Sequence, residues 1–220
     1  YYGFEDPKIK KKYSKKKNIT VGYIGRFESF KGVEALIKAA NLLQDKNIIF
    51  LIAGDGHLKE NLIRLSQGNK KIKFVGNVLK PLNFIKNLDI LVVPSIREPL
   101  GIVNIEAGLC KTSVIATNVD GIPEVITDNK SGILLNPTKK IIIEKYQEQP
   151  PIPDLVINPN TFKMQKPKQL DHKALSKIIF FLSNNKKLRI KYANQLYQNV
   201  KKKFSIKRYF EKIEEIYKQI

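Results

Sequence analysis

Ile90-Leu91-Val92-Val93-Pro94-Ser95-Ile96-Arg97-Glu98-Pro99-Leu100-Gly101-Ile102-Val103-Asn104-Ile105-Glu106-Ala107 passes from an apolar strand through a loop into a helix. The aliphatic run Ile90–Val93 shows no polar alternation, so it predicts a strand covered on both faces, as in a parallel sheet. Glu98 falls in the loop, and Glu106 is expected about two turns into the helix. A loop entering a helix presents unpaired N–H groups and the positive end of the macrodipole, which suits a phosphate. Neither carboxylate is needed to build the turn, so both are free to accept hydrogen bonds from hydroxyls. Phosphate-binding donors flanked by hydroxyl acceptors are what a nucleotide-sugar site requires.

Outward from that stretch the rhythm repeats. Ile19–Ile24, Ile48–Ala53, Ile72–Val75, Val114–Ala116 and Ile133–Leu135 are further strand candidates. Val33, Leu36, Ile37, Ala40 and Leu43 recur at the spacing of an amphipathic helix between the first two. His57–Ser66, Pro81–Leu88 and Gly101–Cys110 fill the next gaps. Continuous strands separated by single helices predict right-handed βαβ units. The fold class expected is α/β, a doubly wound Rossmann-like parallel sheet of about six strands, with ligands at the carboxyl ends of the strands. Gly25-Arg26, Gly54-Asp55-Gly56 and Ser95–Gly101 all fall on that edge.

Residues 1–17 read as a basic lead-in or interdomain linker, and 18–136 as the ligand-binding domain. Residues 137–170 break the rhythm, because Pro137, Pro150, Pro151, Pro153, Pro159 and Pro167 preclude a long helix. That segment reads as a surface excursion with room for a short extended pair. Residues 171–220 read as helices packing on the same domain. Leu175, Ile178, Ile179 and Leu182 form one face, and a second helix spans roughly Lys186–Val200. Ile206, Tyr209, Phe210, Ile213, Ile216 and Tyr217 make a broad apolar stripe on a third, which must bury against this domain or another.

Forty Lys and Arg oppose twenty Asp and Glu, a net charge of +20. Runs such as Lys8–Lys17 and Lys201–Lys203 look like solvated, self-repelling surface. A lysine-rich genome accounts for this charge, and so does work at an anionic membrane. Nucleic acid is not expected, since the cations are spread along the chain without interleaved aromatics. The single cysteine, Cys110, cannot form an internal disulfide and reads as a packed core thiol. A reducing, cytoplasmic setting is the default, with a peripheral place on the inner membrane face compatible with the charge. His57 and His172 stand at helix starts without partners for a metal site. The apolar runs are too short to span a bilayer, and a start at Tyr1 without methionine suggests a piece of a longer chain.

A series of motifs in order carries a resemblance. It comprises Gly25-Arg26 with Lys31-Gly32, Gly54-Asp55-Gly56 and Phe74-Val75-Gly76, followed by Pro94-Ser95 with Glu98-Pro99-Leu100-Gly101 and Glu106-Ala107. Gly121-Ile122-Pro123-Glu124-Val125 and Gly132-Ile133-Leu134-Leu135 complete it. Over Ile19–Leu135 and Asp171–Ile220 the chain resembles the C-terminal, donor-binding half of the GT-B fold in retaining glycosyltransferases of family 4. The resemblance implies a metal-independent, hexosyltransferase-like enzyme that needs no cofactor beyond its nucleotide-diphosphate sugar donor. It implies transfer to a saccharide or lipid-linked acceptor, in polysaccharide, lipopolysaccharide or glycolipid synthesis. It further implies an N-terminal acceptor domain, or a separate acceptor subunit, without which this chain is expected to be inactive.

Carried over residue by residue, the resemblance makes Arg26, Lys31 and Glu98 the catalytic set. The two cations would face the departing diphosphate, and Glu98 the donor sugar's hydroxyls. Glu106 would take the ribose hydroxyls, while Leu100 and Gly101 offer backbone N–H groups to phosphate. Gly25 and Gly54 would let ligand approach closely, although the Gly54 turn equally serves a plain strand–turn–helix. Val75 and Val78 would lie along the nucleobase. Gly121-Ile122-Pro123-Glu124 reads as scaffold. The chain departs from the pattern at Leu100, where an aromatic is usual, at Asp120, where glycine is common, and at Lys111-Thr112-Ser113. A non-catalytic nucleotide-binding or scaffold module of the same fold is the alternative left open.

Overall fold

Alternate residues of the central strands point into two separate cores, and that alternation makes the molecule three-layered. The computed structural model describes residues 3–9, 11, 18–43, 46–141 and 152–218. Most of the lysine run expected over 8–17, and Pro150 and Pro151, lie outside the described residues. In chain order the first half is β1 (Ile19–Ile24), α1 (Val33–Asn41), β2 (Ile48–Ala53), α2 (Lys59–Leu65), β3 (Ile72–Gly76), α3 (Pro81–Ile85), β4 (Ile90–Val93) and α4 (Ile102–Leu109). There follow β5 (Ser113–Thr117), α5 (Ile122–Val125), β6 (Ile133–Leu135), β7 (Val156–Asn158), β8 (Lys163–Gln165), α6 (His172–Ser183), α7 (Lys186–Phe204) and α8 (Ile206–Tyr217).

β1 to β6 form one parallel sheet in the order β3-β2-β1-β4-β5-β6. Ile90 and Val92 of β4, with Ile115 of β5, face a core shared with Leu36 and Ile37 of α1 and Leu175, Ile179 and Leu182 of α6. Leu91 and Val93, with Val114 and Ala116, face the other core, closed by Ile105 and Leu109 of α4 and by Leu196, Val200 and Phe204 of α7. Aliphatic residues at consecutive positions are thus used on both faces, as a doubly wound sheet requires.

Because β1 lies between β2 and β4, the chain's winding reverses at the β1–β4 seam. The helix after β1 covers one face and the helix after β4 the other, so the loops leaving these strands diverge and leave a crevice. Asp171 caps α6 by accepting from the Lys173 N–H (2.9 Å), and Ser205 accepts from the Arg208 N–H at the start of α8 (3.3 Å). The second helix of the C-terminal part runs on to Phe204, past the expected end at Val200. Described parts of the Pro-rich segment form an antiparallel pair, with Ile157 opposite Met164.

Candidate active site

The crevice at the β1–β4 seam has a volume of about 530 Å³. Gly25 and Arg26 leave β1 on one side of it, Ser95 and Glu98 leave β4 on the other, and Gly101 and Glu106 belong to α4 and its entry. Gly101 takes a left-handed conformation (φ 78°), and a Cβ there would stand 2.4 Å from the Asn104 amide nitrogen. Glycine is therefore required for this turn into the helix. The N–H groups of Leu100, Gly101, Ile102 and Val103 find no acceptor among the described residues, and all four residues line the crevice. Orphan donors at the positive end of a helix form a ready anion site.

Two cations stand opposite those donors. Arg26 and Lys31 both lie 5.5 Å from the Phe30 ring centre, so the ring shelves both side chains. Lys31 Nζ donates to Glu98 Oε2 at 2.6 Å, and the Ser95 hydroxyl reaches the same oxygen at 3.3 Å. The Lys31–Glu98 pair is largely buried, with side chains 20% and 12% exposed. Arg26 has no carboxylate partner among the described residues. The Tyr23 hydroxyl, driven upward in pKa by burial, donates to the Arg26 carbonyl at 2.8 Å and fixes the loop that carries it.

Glu106 projects from α4 into the same space, and burial raises its pKa. Its carboxyl has no hydrogen-bond partner among the described residues. Because α4 opens at Ile102, Glu106 lies just beyond the first turn and not two turns in, which brings it nearer the phosphate-binding end.

Of the residues singled out in the sequence, Gly25, Arg26, Lys31, Glu98, Leu100, Gly101 and Glu106 line this one crevice. Gly54, Val75 and Val78 do not. A Cβ on Gly54 would meet the Gly25 carbonyl oxygen at 1.9 Å, so this glycine permits two loops of the protein to touch. Val75 is exposed at the end of β3 and Val78 is half-buried beyond it, on the side where Pro81 forms part of the crevice wall. Gly121 is packed against the Pro99 carbonyl, where a Cβ would approach to 1.9 Å, so the scaffold segment abuts the Glu98 loop directly.

The sequence reading passed over Tyr23 and Phe30, gave Ser95 a place in the motif series but no role, and saw Asp120 only as a departure. Asp120 Oδ2 accepts from the Glu98 N–H at 3.0 Å, and its Oδ1 accepts from the Ile157 N–H at 2.7 Å. Its backbone is left-handed (φ 45°), a conformation aspartate tolerates better than most residues. An acid in a slot where glycine is common was the available signal: it meets the same backbone demand and adds a carboxylate.

Known proteins share sequence and fold with this chain. A family model described as "Glycosyl transferases group 1" matches residues 5–148. The capsular polysaccharide biosynthesis glycosyltransferase CapM of Staphylococcus aureus is 28% identical over 156 residues, covering 67% of this chain and 41% of CapM. The chain thus spans less than half the length of the curated relatives it matches. S. aureus TarM, crystallised with Fondaparinux, alpha-GlcNAc-glycerol and UDP, superposes with a TM-score of 0.72 at 21% identity, covering 96% of this chain and 37% of TarM. The C-terminal domain of the glycosyl transferase group 1 family protein LpcC from Francisella tularensis superposes at 0.65 and 23% identity, covering 86% of this chain and 87% of that one. The fold is therefore the Rossmann-like fold of GT-B glycosyltransferase structures. With its family model spanning more than half of the sequence, the chain belongs to the glycosyl transferases group 1.

Proposed function

We propose that this chain is the donor-binding part of a retaining, metal-independent glycosyltransferase of family 4. The observation that carries the reading is the facing of four orphan amide donors by Arg26 and Lys31, with Glu98 and Glu106 at the margins of the same crevice. In this reading the diphosphate of a nucleotide sugar lies on the Leu100–Val103 amides, gripped by Arg26 and Lys31. Glu106 accepts from the ribose hydroxyls and Glu98 from those of the sugar. The UDP bound by TarM supports a nucleoside diphosphate as the ligand class.

Diphosphate arrival exchanges one pairing for two. Lys31 leaves Glu98 for a phosphate oxygen, and Glu98 is released to the sugar. In the reaction the bond from the anomeric carbon to the phosphate oxygen breaks and a bond to the acceptor oxygen forms on the same face. The departing phosphate takes the acceptor's proton, and the cations and amides stabilise its growing charge. Glu98 and Glu106 position the donor and exchange no protons. No cofactor beyond the donor is proposed.

The acceptor, a saccharide or a lipid-linked hydroxyl, requires a second domain or subunit. The exposed apolar face of α8, with Phe210 and Ile216 among the outward residues, supports a further packing partner of this kind. Capsular polysaccharide synthesis in CapM supports a cell-envelope setting. The test is calorimetric titration with UDP, GDP and ADP at low and moderate salt. Selective binding of one nucleotide that survives salt, and is lost in Glu106→Ala without loss of folding, supports the reading. Equal binding of all three that salt abolishes overturns it in favour of a scaffold module.

A further inference from the structure

The β7–β8 hairpin wears its apolar residues on the outside. Val156 points inward and is 2% exposed, while its neighbours Leu155 and Ile157 are 47% and 44% exposed. Ile157 is paired across the ladder with Met164, which is 63% exposed, and Phe162 at the turn is 86% exposed. Half-covered hairpins ordinarily turn polar side chains to solvent, so this inversion calls for an occupant. These outward residues border a cleft of about 500 Å³, whose far wall holds Arg97, Pro99 and Pro123.

The charge around this surface indicates the chemistry of the occupant. From Leu155 to Lys168 the chain holds Lys163, Lys166 and Lys168 and no aspartate or glutamate. These lysines are exposed and form no ion pair with a described residue. The acids nearby are Asp154 before the hairpin, Asp120, whose two oxygens are taken by backbone N–H groups, and Glu124 in the cleft wall. A further uncovered apolar face among the described residues, on α8, alternates its cations with Glu211, Glu214 and Glu215. Apolar side chains set among unpaired lysines suit an anionic bilayer surface, where the former enter the acyl boundary and the latter meet lipid phosphates.

We infer that the β7–β8 hairpin docks this chain on an anionic membrane, with Phe162, Met164 and Ile157 inserted and Lys163, Lys166 and Lys168 on the headgroups. No helix among the described residues is long and apolar enough to cross a membrane, so this is attachment and not spanning. The hairpin is tied through Asp120 to the Glu98 loop, and Pro99 lines both its cleft and the crevice. Docking therefore sets the crevice beside the headgroups, whatever the crevice binds.

The chain contains no tryptophan, so Phe162→Trp supplies a single indole, excited selectively near the red edge of its absorption, at the proposed insertion point. The probe is vesicles of phosphatidylglycerol and phosphatidylcholine in equal parts, with pure phosphatidylcholine as control. The expected result is a blue shift on the mixed vesicles, quenching by brominated acyl chains, and no response to the control. The double change Phe162→Ser with Met164→Ser should lower partitioning about tenfold or more with an unaltered melting temperature. Phe210→Ser with Ile216→Ser on α8 should leave partitioning unchanged. Co-sedimentation without a blue shift, or loss of binding only in the α8 variant, overturns the inference. So does failure to bind vesicles, and a dimer abolished by the hairpin variant would then assign the face to a second copy.

Discussion

Lys31 and Glu98 neutralise one another at 2.6 Å, and this governs how each responds to substitution. Glu98→Gln leaves Lys31 available to phosphate, so a free nucleoside diphosphate should bind several-fold more tightly while the nucleotide sugar loses affinity. Parallel titrations of both ligands check this, and a fall for both would mean that Glu98 chiefly shapes the loop. Glu106 behaves differently. Burial raises its pKa, so the folded protein holds that proton longer than the unfolded chain does. The charged carboxyl is therefore a cost that is absent below both pKa values and complete above both, and stability from this group falls as pH rises through the window just above the ordinary glutamate range. Glu106→Gln should raise the melting temperature at neutral pH, with the gain vanishing in acid, while nucleotide binding drops at least tenfold. Thermal melts at both pH values decide it. Asp120→Gly keeps the left-handed turn but removes both accepted hydrogen bonds, and should cost about 1 kcal/mol and speed amide exchange at Ile157 and Glu98. At this scale the sequence disclosed charge and hydroxyl-accepting capacity through Arg26, Lys31, Glu98 and Glu106. It did not disclose that two of these pair with each other, since they meet only across the β1–β4 seam.

Elements were more legible than contacts, because periodicity is local. β1, β2, β4 and β6 stand where their aliphatic runs placed them, since each run ends in a turn or a charged residue. α4 begins at Ile102 because Gly101 has a positive φ, a backbone fact that no side-chain pattern displays. The β7–β8 pairing was read only as room for an extended pair. Its short strands carry no clean alternation, since apolar residues occupy the outward positions too. The glycine in Gly54-Asp55-Gly56 illustrates the same boundary: a turn glycine is visible in sequence, but what approaches it is not. Gly54→Ala should destabilise by about 3 kcal/mol, measurable by denaturant unfolding, because φ is 133° and the new Cβ collides with the Gly25 carbonyl. Ordinary stability in that variant would mean the two loops separate easily, returning Gly54 to the list of ligand contacts.

Across the whole molecule, a net charge of +20 repels itself in the folded state more than in the expanded one. Raising salt from roughly 20 to 200 mM should therefore raise the melting temperature by about 2–4 °C. A flat or falling trend would show that the cations are already locally compensated. The same sheet order that opens the crevice dictates when the protein can be completed during synthesis. β1 acquires β2 as soon as that strand leaves the ribosome, but its other edge, which holds Val21 opposite Ile90, stays unpaired until β4 emerges. Beyond the seam, Ile105, Cys110 and Val114 wait for Leu196, Val200 and Phe204 of α7. A nascent chain stalled before Lys186 thus carries an open apolar flank, and early termination there yields a chaperone client and not a trimmed but serviceable domain.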